Sequence, residues 1–460
     1  MKDSSIENGT IAAIATAGSE GCISIVRLSG PDALNITEKI TRSTKKPTEA
    51  AANTVLYGHI VGSDGIDIDE VLLLILRAPK TYTCEDMVEI QGHGGRISAA
   101  RILRRCLEAG ARPAEPGEFT KRAFLNGRMD LLQAEAVQDL VKAQSEAAAN
   151  MALEQLEGGL STAINELYDE LIHLLADLEA TLDFSEEQLL LPVYDEIKNL
   201  NELIINKIEA LLKTWQQGHI LREGAAIAII GRPNVGKSTL LNRLLDKERA
   251  IVSPIPGTTR DTIEESILLN GIPLRLIDTA GMRTTECDIE REGIERTRKT
   301  IQRADLILHV LDASQPLDDE MKAFWREIPK EKLLYVVNKI DIKRYNHAES
   351  LPKNRIFEVS LLSPDDAQRL KRCIHETITS AFHLPDQAHA VISERHRDLL
   401  LLAERSLKQA DQLMKGQVEE NTLYIATHVR DAIEQIGKIT GRVYYEELLD
   451  QLFAGFCIGK

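Results

Sequence analysis

The stretch Gly231-Arg-Pro-Asn-Val-Gly-Lys-Ser238 decides how the chain is read. Its spacing, G-x-x-x-x-G-K-S, is that of a phosphate-binding loop. The residues before it, AAIAII at 225–230, form the unbroken apolar run of a strand buried on both faces. The residues after it, TLLNRLLDK at 239–247, carry apolar side chains at helical spacing. A strand, a glycine loop and a helix start together aim backbone N–H groups and the positive end of a helix dipole at phosphates. Lys237 is expected to reach the β- and γ-phosphates, and Ser238 to ligate Mg²⁺ through its hydroxyl. Asn234, Val235, Gly236 and Thr239 complete this set of nucleotide contacts.

The other parts of such a site follow in order. Asp278-Thr279-Ala280-Gly281 succeeds the strand-like IPLRLI; Asp278 would position Mg²⁺ through water and the Gly281 amide would meet the γ-phosphate. Asn338-Lys339-Ile340-Asp341 succeeds LLYVV. There a carboxylate can accept from N1 and N2 of guanine, donors that adenine does not present, and sites built on such bonds reject a base lacking them. Ser360-Leu-Leu362 stands where a further base-contacting loop belongs, with backbone contact only. Ser253-Pro254-Ile255-Pro256-Gly257-Thr258-Thr259-Arg260-Asp261 reads as a first switch, Thr259 completing the Mg²⁺ shell. The nucleotide is therefore GTP. The position after Asp278–Gly281 is Met282, which cannot orient an attacking water as a glutamine would. Glu290 could do so indirectly, although by charge pattern the acidic stretch 286–290 reads first as solvated loop. Arg260 and Arg283 lie near, and each could equally pair with a surface acid.

The length of 460 residues suggests two or three domains. A net charge of −16 argues against a general, salt-driven grip on nucleic acid, and 4% aromatics against base-stacking platforms. The six cysteines form no CxxC pair, so reduced, cytoplasmic thiols are expected rather than a zinc site or a disulfide framework. IAAIATAG near the N-terminus has a superficial likeness to an export signal, but Lys2 is countered by Asp3 and Glu7 and the apolar stretch is short. The aliphatic runs are too short to cross a bilayer.

Residues 1–118 read as an α+β domain, with strands at 11–15, 22–28 and 71–76 and a helix from Arg96 to Ala109 stopped by Gly110. Glu89-Ile-Gln-Gly-His-Gly-Gly95 lies between strand and helix, where a plain turn with a structural His93 is the favoured reading. Residues 119–222 turn helical; between 121 and 220 there are 7 basic and 18 acidic residues, a solvated face unsuited to phosphate backbones. Residues 223–382 alternate strand and helix as an α/β nucleotide domain does. After His383-Leu-Pro385 the helical pattern resumes through 383–460. The nucleotide domain is thus expected as an insertion into one all-α domain made of two separated segments.

With these residues assembled, the chain resembles the bacterial tRNA-modification GTPases of the MnmE (TrmE) family. The likeness runs nearly end to end: IVRLSG at 25–30, VEIQGHGG at 88–95, PGEF at 116–119, AFLNGRMDL at 123–131, GRPNVGKS, PGTTRD at 256–261, DTAGMR at 278–283, IEREGIER at 289–296 and the terminal FCIGK. The resemblance implies a folate-binding-like N-terminal domain that also dimerises the protein, and an FAD-binding partner, MnmG (GidA), so that FAD enters only through the partner. It implies a tetrahydrofolate derivative (5-formyl- or methylenetetrahydrofolate) as one-carbon source for an aminomethyl-type group on carbon 5 of the tRNA wobble uridine. Arg27, Glu89 and Lys460 match the family's folate contacts, and Arg128 stands where Lys is usual, a change of geometry with the charge kept. Cys457 matches a cysteine important for modification. The family is potassium-dependent; Asn234, Ser253, Ile255 and Thr258 match the K⁺ ligands, and Glu290 the residue that orients the catalytic water. The alternative is a GTP-gated ribosome-assembly or RNA-binding factor without RNA-modifying chemistry, which would need a basic RNA-binding appendage that this acidic chain does not display.

Overall fold

The computed structural model describes residues 9–16, 21–183, 190–245, 265–277, 300–317, 328–342, 351–382, 391–415 and 418–459, with residues 321, 323, 325, 326 and 345. It divides into two compact units, 1–138 with 437–460, and 139–436. The first unit thus takes in residues 119–138 and 437–460 beside the stretch expected as an N-terminal domain.

The first unit is built on a seven-stranded sheet, β1 (Ile11–Ile14), β2 (Ile23–Ser29), β3 (Thr41–Ser43), β4 (Thr54–Val61), β5 (Asp67–Leu76), β6 (Met87–His93) and β7 (Arg112–Pro113), in the order β3-β4-β5-β6-β2-β1-β7. All pairs are antiparallel except β1 with β7. Alternation of side chains puts Val26, Leu28, Leu73, Ile75, Val88 and Ile90 on one face, where they form a single buried cluster with Ala33, Ile36 and Ile40 of helix α1 (Ala33–Ile40) and Ile102 and Cys106 of helix α2 (Arg96–Glu108). Burial pushes the Cys106 thiol up to about 12, so it behaves as a small apolar side chain. The other face, over β1 and β6, is covered by Phe119 of helix α3 (Glu118–Leu125), which packs with Ile11, Ala13, Met87 and Ala114. Arg122 holds this helix down by bonding Glu85 at 3.0 Å, Glu118 at 3.0 Å and the Gly9 carbonyl at 2.8 Å.

The second unit holds a six-stranded sheet: β8 (Ala225–Ile230), β9 (Glu265–Leu269), β10 (Ile272–Ile277), β11 (Leu306–Asp312), β12 (Leu333–Asn338) and β13 (Ile356–Val359), in the order β13-β12-β11-β8-β10-β9. Only β9 runs antiparallel. All six residues of β8 are buried because both faces of the sheet are covered, one cluster holding Ile227, Ile229, Leu308 and Val336, the other Ala228, Ile230, Ile307 and Val337. That is why the strand reads as an unbroken apolar run. Helix α4 (Trp215–Glu223) enters β8 through Gly224 alone, whose φ of +85° suits glycine. Helices Leu190–Lys213 and Glu394–Met414, from opposite sides of the nucleotide-domain sequence, pack together, with Asn201 Nδ2 donating to the Leu407 carbonyl and Lys408 pairing with Glu209 at 2.8 Å. No described helix is long and apolar enough to cross a membrane.

Candidate functional site

The loop 231–236 joins β8 to helix α5 (Lys237–Leu245), so Lys237 and Ser238 are the helix's first residues and their amides belong to its N-terminus. Gly231 lies at φ +147° and a Cβ there would strike the Val310 carbonyl; Gly236 lies at φ +109° and a Cβ would strike Asn338 Nδ2. Both glycines are therefore demanded by the packing of the loop onto neighbouring strands. Lys237 Nζ donates to the Gly231 and Arg232 carbonyls at 2.8 and 2.7 Å. Burial lowers the Lys237 pKa. The pKa of His309 is pushed down to about 4 by burial and by the Lys237 charge, and its Nδ1 accepts from Trp325 Nε1 at 2.7 Å, as a neutral ring can.

The loop after β12, expected on the base side, is sewn to the loop after β8, expected on the phosphate side, by two neighbours. Asn338 Nδ2 donates to the Val235 carbonyl at 2.8 Å while its Oδ1 accepts from Leu361 N at 3.0 Å. Lys339, at φ +65°, donates to the Asn234 carbonyl at 2.8 Å; Asn234 itself is at φ +62°. Asp341 is exposed, and a hydrogen bond from Ser360 holds its carboxyl below the ordinary value. The Ser360 side chain thus steadies Asp341, a contact the sequence reading, which allowed Ser360 its backbone only, did not foresee. Asp312, also missed, receives Lys339; its one sequence signal is a carboxylate closing the mostly aliphatic strand LILHVLD.

In the first unit Arg27 of β2 faces Glu89 of β6 directly across the ladder. Its Nε and one terminal nitrogen donate to Glu89 Oε1 at 3.0 and 2.8 Å, and the other terminal nitrogen donates to the Gly459 carbonyl at 3.3 Å. The guanidinium lies 5.6 Å from the Tyr82 ring centre and 5.7 Å from that of Phe119. Arg128 meets the same Tyr82 ring at 4.8 Å. Two positions from distant parts of the chain thus gather round one aromatic side chain, and nothing local to Tyr82 or Phe119 announced it. The terminal segment is fastened by the Gly117 amide to the Cys457 carbonyl at 3.4 Å, by Gln138 Nε2 to the Gly455 carbonyl and by Lys121 to Asp450 at 2.7 Å. The Cys457 side chain is exposed. Residues 89–93, read from sequence as a plain turn, are instead the end of β6, where His93 is held by Asp69, whose Oδ1 lies 2.7 Å from Nδ1 and whose Oδ2 accepts from the His93 amide at 2.9 Å.

Gly459 offers a direct test of the tail's seat. At φ +94° with a would-be Cβ 2.5 Å from the Ile14 carbonyl, Gly459→Ala strains the backbone by about 1–3 kcal/mol. Hydrogen exchange at 457–459 should quicken at least about fivefold while the sheet stays protected. Equal protection in the variant would refute the seating.

Ser253, Pro254, Ile255, Pro256, Gly257, Thr258, Thr259, Asp278, Thr279, Ala280, Gly281, Met282, Glu290 and Lys460 lie outside the described residues.

Two family models match. Residues 10–128 match the N-terminus of the GTP-binding protein TrmE, and residues 131–457 match the MnmE helical domain. A tRNA modification GTPase MnmE of Bacillus velezensis is 44% identical, covering 98% of this chain and all of that protein. One of Enterococcus faecalis is 44% identical over the whole of both chains, and one of Geobacillus thermodenitrificans 44% over 99% of this chain and all of its own. The solved G domain of the T. maritima FeoB iron transporter aligns to 34% of this chain and 98% of its own at 27% identity, with a TM-score of 0.25, too low to bear on the fold.

Proposed function

Because the chain belongs to the MnmE (TrmE) family of tRNA modification GTPases, we propose that it hydrolyses GTP in the service of tRNA wobble-uridine modification. The observation that carries the GTP half is the double seam between loops: Asn338 on Val235 and Lys339 on Asn234 hold a base-reading edge at fixed spacing from a phosphate cradle. Asp341 reads N1 and N2 of guanine. The amides of Asn234 to Thr239 receive the phosphates, and Lys237 exchanges its two loop carbonyls for phosphate oxygens, a trade its partial desolvation favours. Ser238, with Thr259 and, through water, Asp278, suits Mg²⁺, since hydroxyl and carboxylate oxygens are hard donors. Of the residues that would hold K⁺, Asn234 is described. Its main chain is pinned by Lys339, which leaves the amide oxygen as a donor of the right hardness; Ser253, Ile255 and Thr258 complete that set. Bound there, K⁺ supplies positive charge beside the phosphates. Glu290 orients water.

The Arg27–Glu89 pair suits a folate head. Arg27 places two of its bonds on Glu89 Oε1, and Oε2 carries none among the described residues, so a carboxylate oxygen is left beside a guanidinium that itself lies against Tyr82 and Phe119. Arg128 and Lys460 would hold the remainder of a tetrahydrofolate derivative, which supplies the one-carbon unit. Cys457, on the same terminal segment, serves the modification step. The working form is a cytoplasmic homodimer with an MnmG partner that brings FAD and holds much of the tRNA.

The test is genetic. In a strain lacking this gene, nucleoside mass spectrometry of bulk tRNA should show loss of carbon-5 aminomethyl-type wobble uridines. The wild-type gene should restore them; Asp278→Ala and Arg27→Ala should not. Restoration by Arg27→Ala would sink the folate reading alone, and persistence of the nucleosides in the deletion would sink the modification reading.

A further inference from the structure

We infer that Asp312 is a positioning residue of the nucleotide site, acting through Lys339. The Lys339 ammonium stands 2.6 Å from Asp312 Oδ2 and 2.8 Å from the Asn234 carbonyl, so one cation ties together the end of β11, the phosphate-side loop and the base-side loop. The carboxylate end of this joint is rigid. Asp312 Oδ1 accepts from the Ser314 amide at 2.9 Å and the Ser314 hydroxyl at 2.7 Å, and the Asp312 side chain is 3% exposed against 33% for Lys339. Burial opposes ionisation of Asp312, but the bonds from Lys339 and Ser314 outweigh it and hold the carboxyl below its ordinary value. The strand register agrees: Asp312 pairs with Asn338, and the Ala313 amide donates to the Asn338 carbonyl at 2.8 Å. The backbone therefore delivers Lys339 one residue beyond a fixed rung, and Asp312 selects one orientation from the many open to a lysine side chain.

The consequence is for binding. Lys339 lies between Asn338 and Asp341, so fixing its side chain to Asn234 fixes the distance between base-reading and phosphate-holding groups before a nucleotide arrives. Without Asp312 the ammonium keeps only the Asn234 carbonyl, and a nucleotide must order the loops itself, which weakens affinity. The acidic side chain is required because a charge-assisted bond to a partly buried ammonium is stronger than a neutral one.

This inference rests on the GTP reading. The experiment is a double-mutant cycle on the full chain, read as the release rate of a fluorescent N-methylanthraniloyl-GDP. Asp312→Ala should speed release about tenfold, the lower end for a bond to a charged group. Near-isosteric Asp312→Asn should speed it less, and Lys339→Ala by at least as much as Asp312→Ala. Asp312→Ala should add nothing in the Lys339→Ala background. The KM for GTP should rise with kcat at saturation little changed, since the loss is of uniform binding. Multiplying effects in the double variant, or unaltered release in both Asp312 variants, would overturn the assignment. If Asp312→Ala fails to fold, Asp312→Asn alone and with Lys339→Ala decides by the same criterion. A wild-type chain that binds no GDP analogue would sink the GTP reading instead.

Discussion

Asp341→Asn should lower affinity for guanine nucleotides by about 10²-fold or more and transfer preference to xanthine nucleotides. The carboxylate offers two acceptor oxygens, matched to the N1 and N2 donors of guanine. Asparagine keeps one acceptor and turns the other into a donor that faces the guanine amino group, donor against donor. Xanthine carries a carbonyl at that position and restores the match. The geometry favours a clean exchange: Asp341 is exposed and carries no packing, and Ser360, whose hydrogen bond lowers its pKa, can donate equally to an amide oxygen. Competition between GDP and XDP for the two proteins checks this. A variant that still prefers GDP would show that the base is read elsewhere.

Gly236→Ala should abolish nucleotide binding, by about 10³-fold or more in affinity, while leaving the first unit folded. The backbone at φ +109° is closed to an L side chain, and the added methyl would occupy the place of Asn338 Nδ2. Asn338 cannot give way without loss. It is buried, and its two side-chain ends are bonded to the Val235 carbonyl and the Leu361 amide. Moving it strands two backbone groups at about 1–3 kcal/mol each, on top of about 1–3 kcal/mol of backbone strain. The loop then yields instead, and the seam between the loops opens. Gly271→Ala is the control: φ is +87°, but a Cβ there meets nothing within 4 Å, so it carries strain alone, in the β9–β10 turn. Isothermal titration with GDP should find binding in Gly271→Ala and none in Gly236→Ala. Equal binding by the two would refute the steric argument.

The elements that carry the loop 231–236 were legible in the residues alone. AAIAII is β8, IPLRLI is β10, LLYVV falls within β12, and the helix expected over 96–109 is Arg96–Glu108, with Gly110 at φ +120° behind it. Each is a local pattern: a run buried on both faces must be apolar throughout, and a chain leaving a helix left-handed favours glycine. The helix after the loop was expected from 239 and starts at Lys237, because the motif's own lysine and serine form its first turn.

What local pattern could not supply is which distant side chains meet. Arg27 and the Gly459 carbonyl are 432 positions apart, and Lys339 and Asp312 are 27 apart on separate strand ends. Periodicity records which face of an element is buried, not the element it is buried against. The sequence by itself therefore determined the strands and helices that carry the loop 231–236, and the family. Only the tertiary structure decided that residues 437–460 group with the N-terminal sheet, that Tyr82 gathers Arg27 and Arg128, and that a buried carboxylate at the end of β11 pairs with Lys339. Those pairings depend on how strands are ordered and registered, which is set by the free energy of the whole packed core rather than by any window of residues.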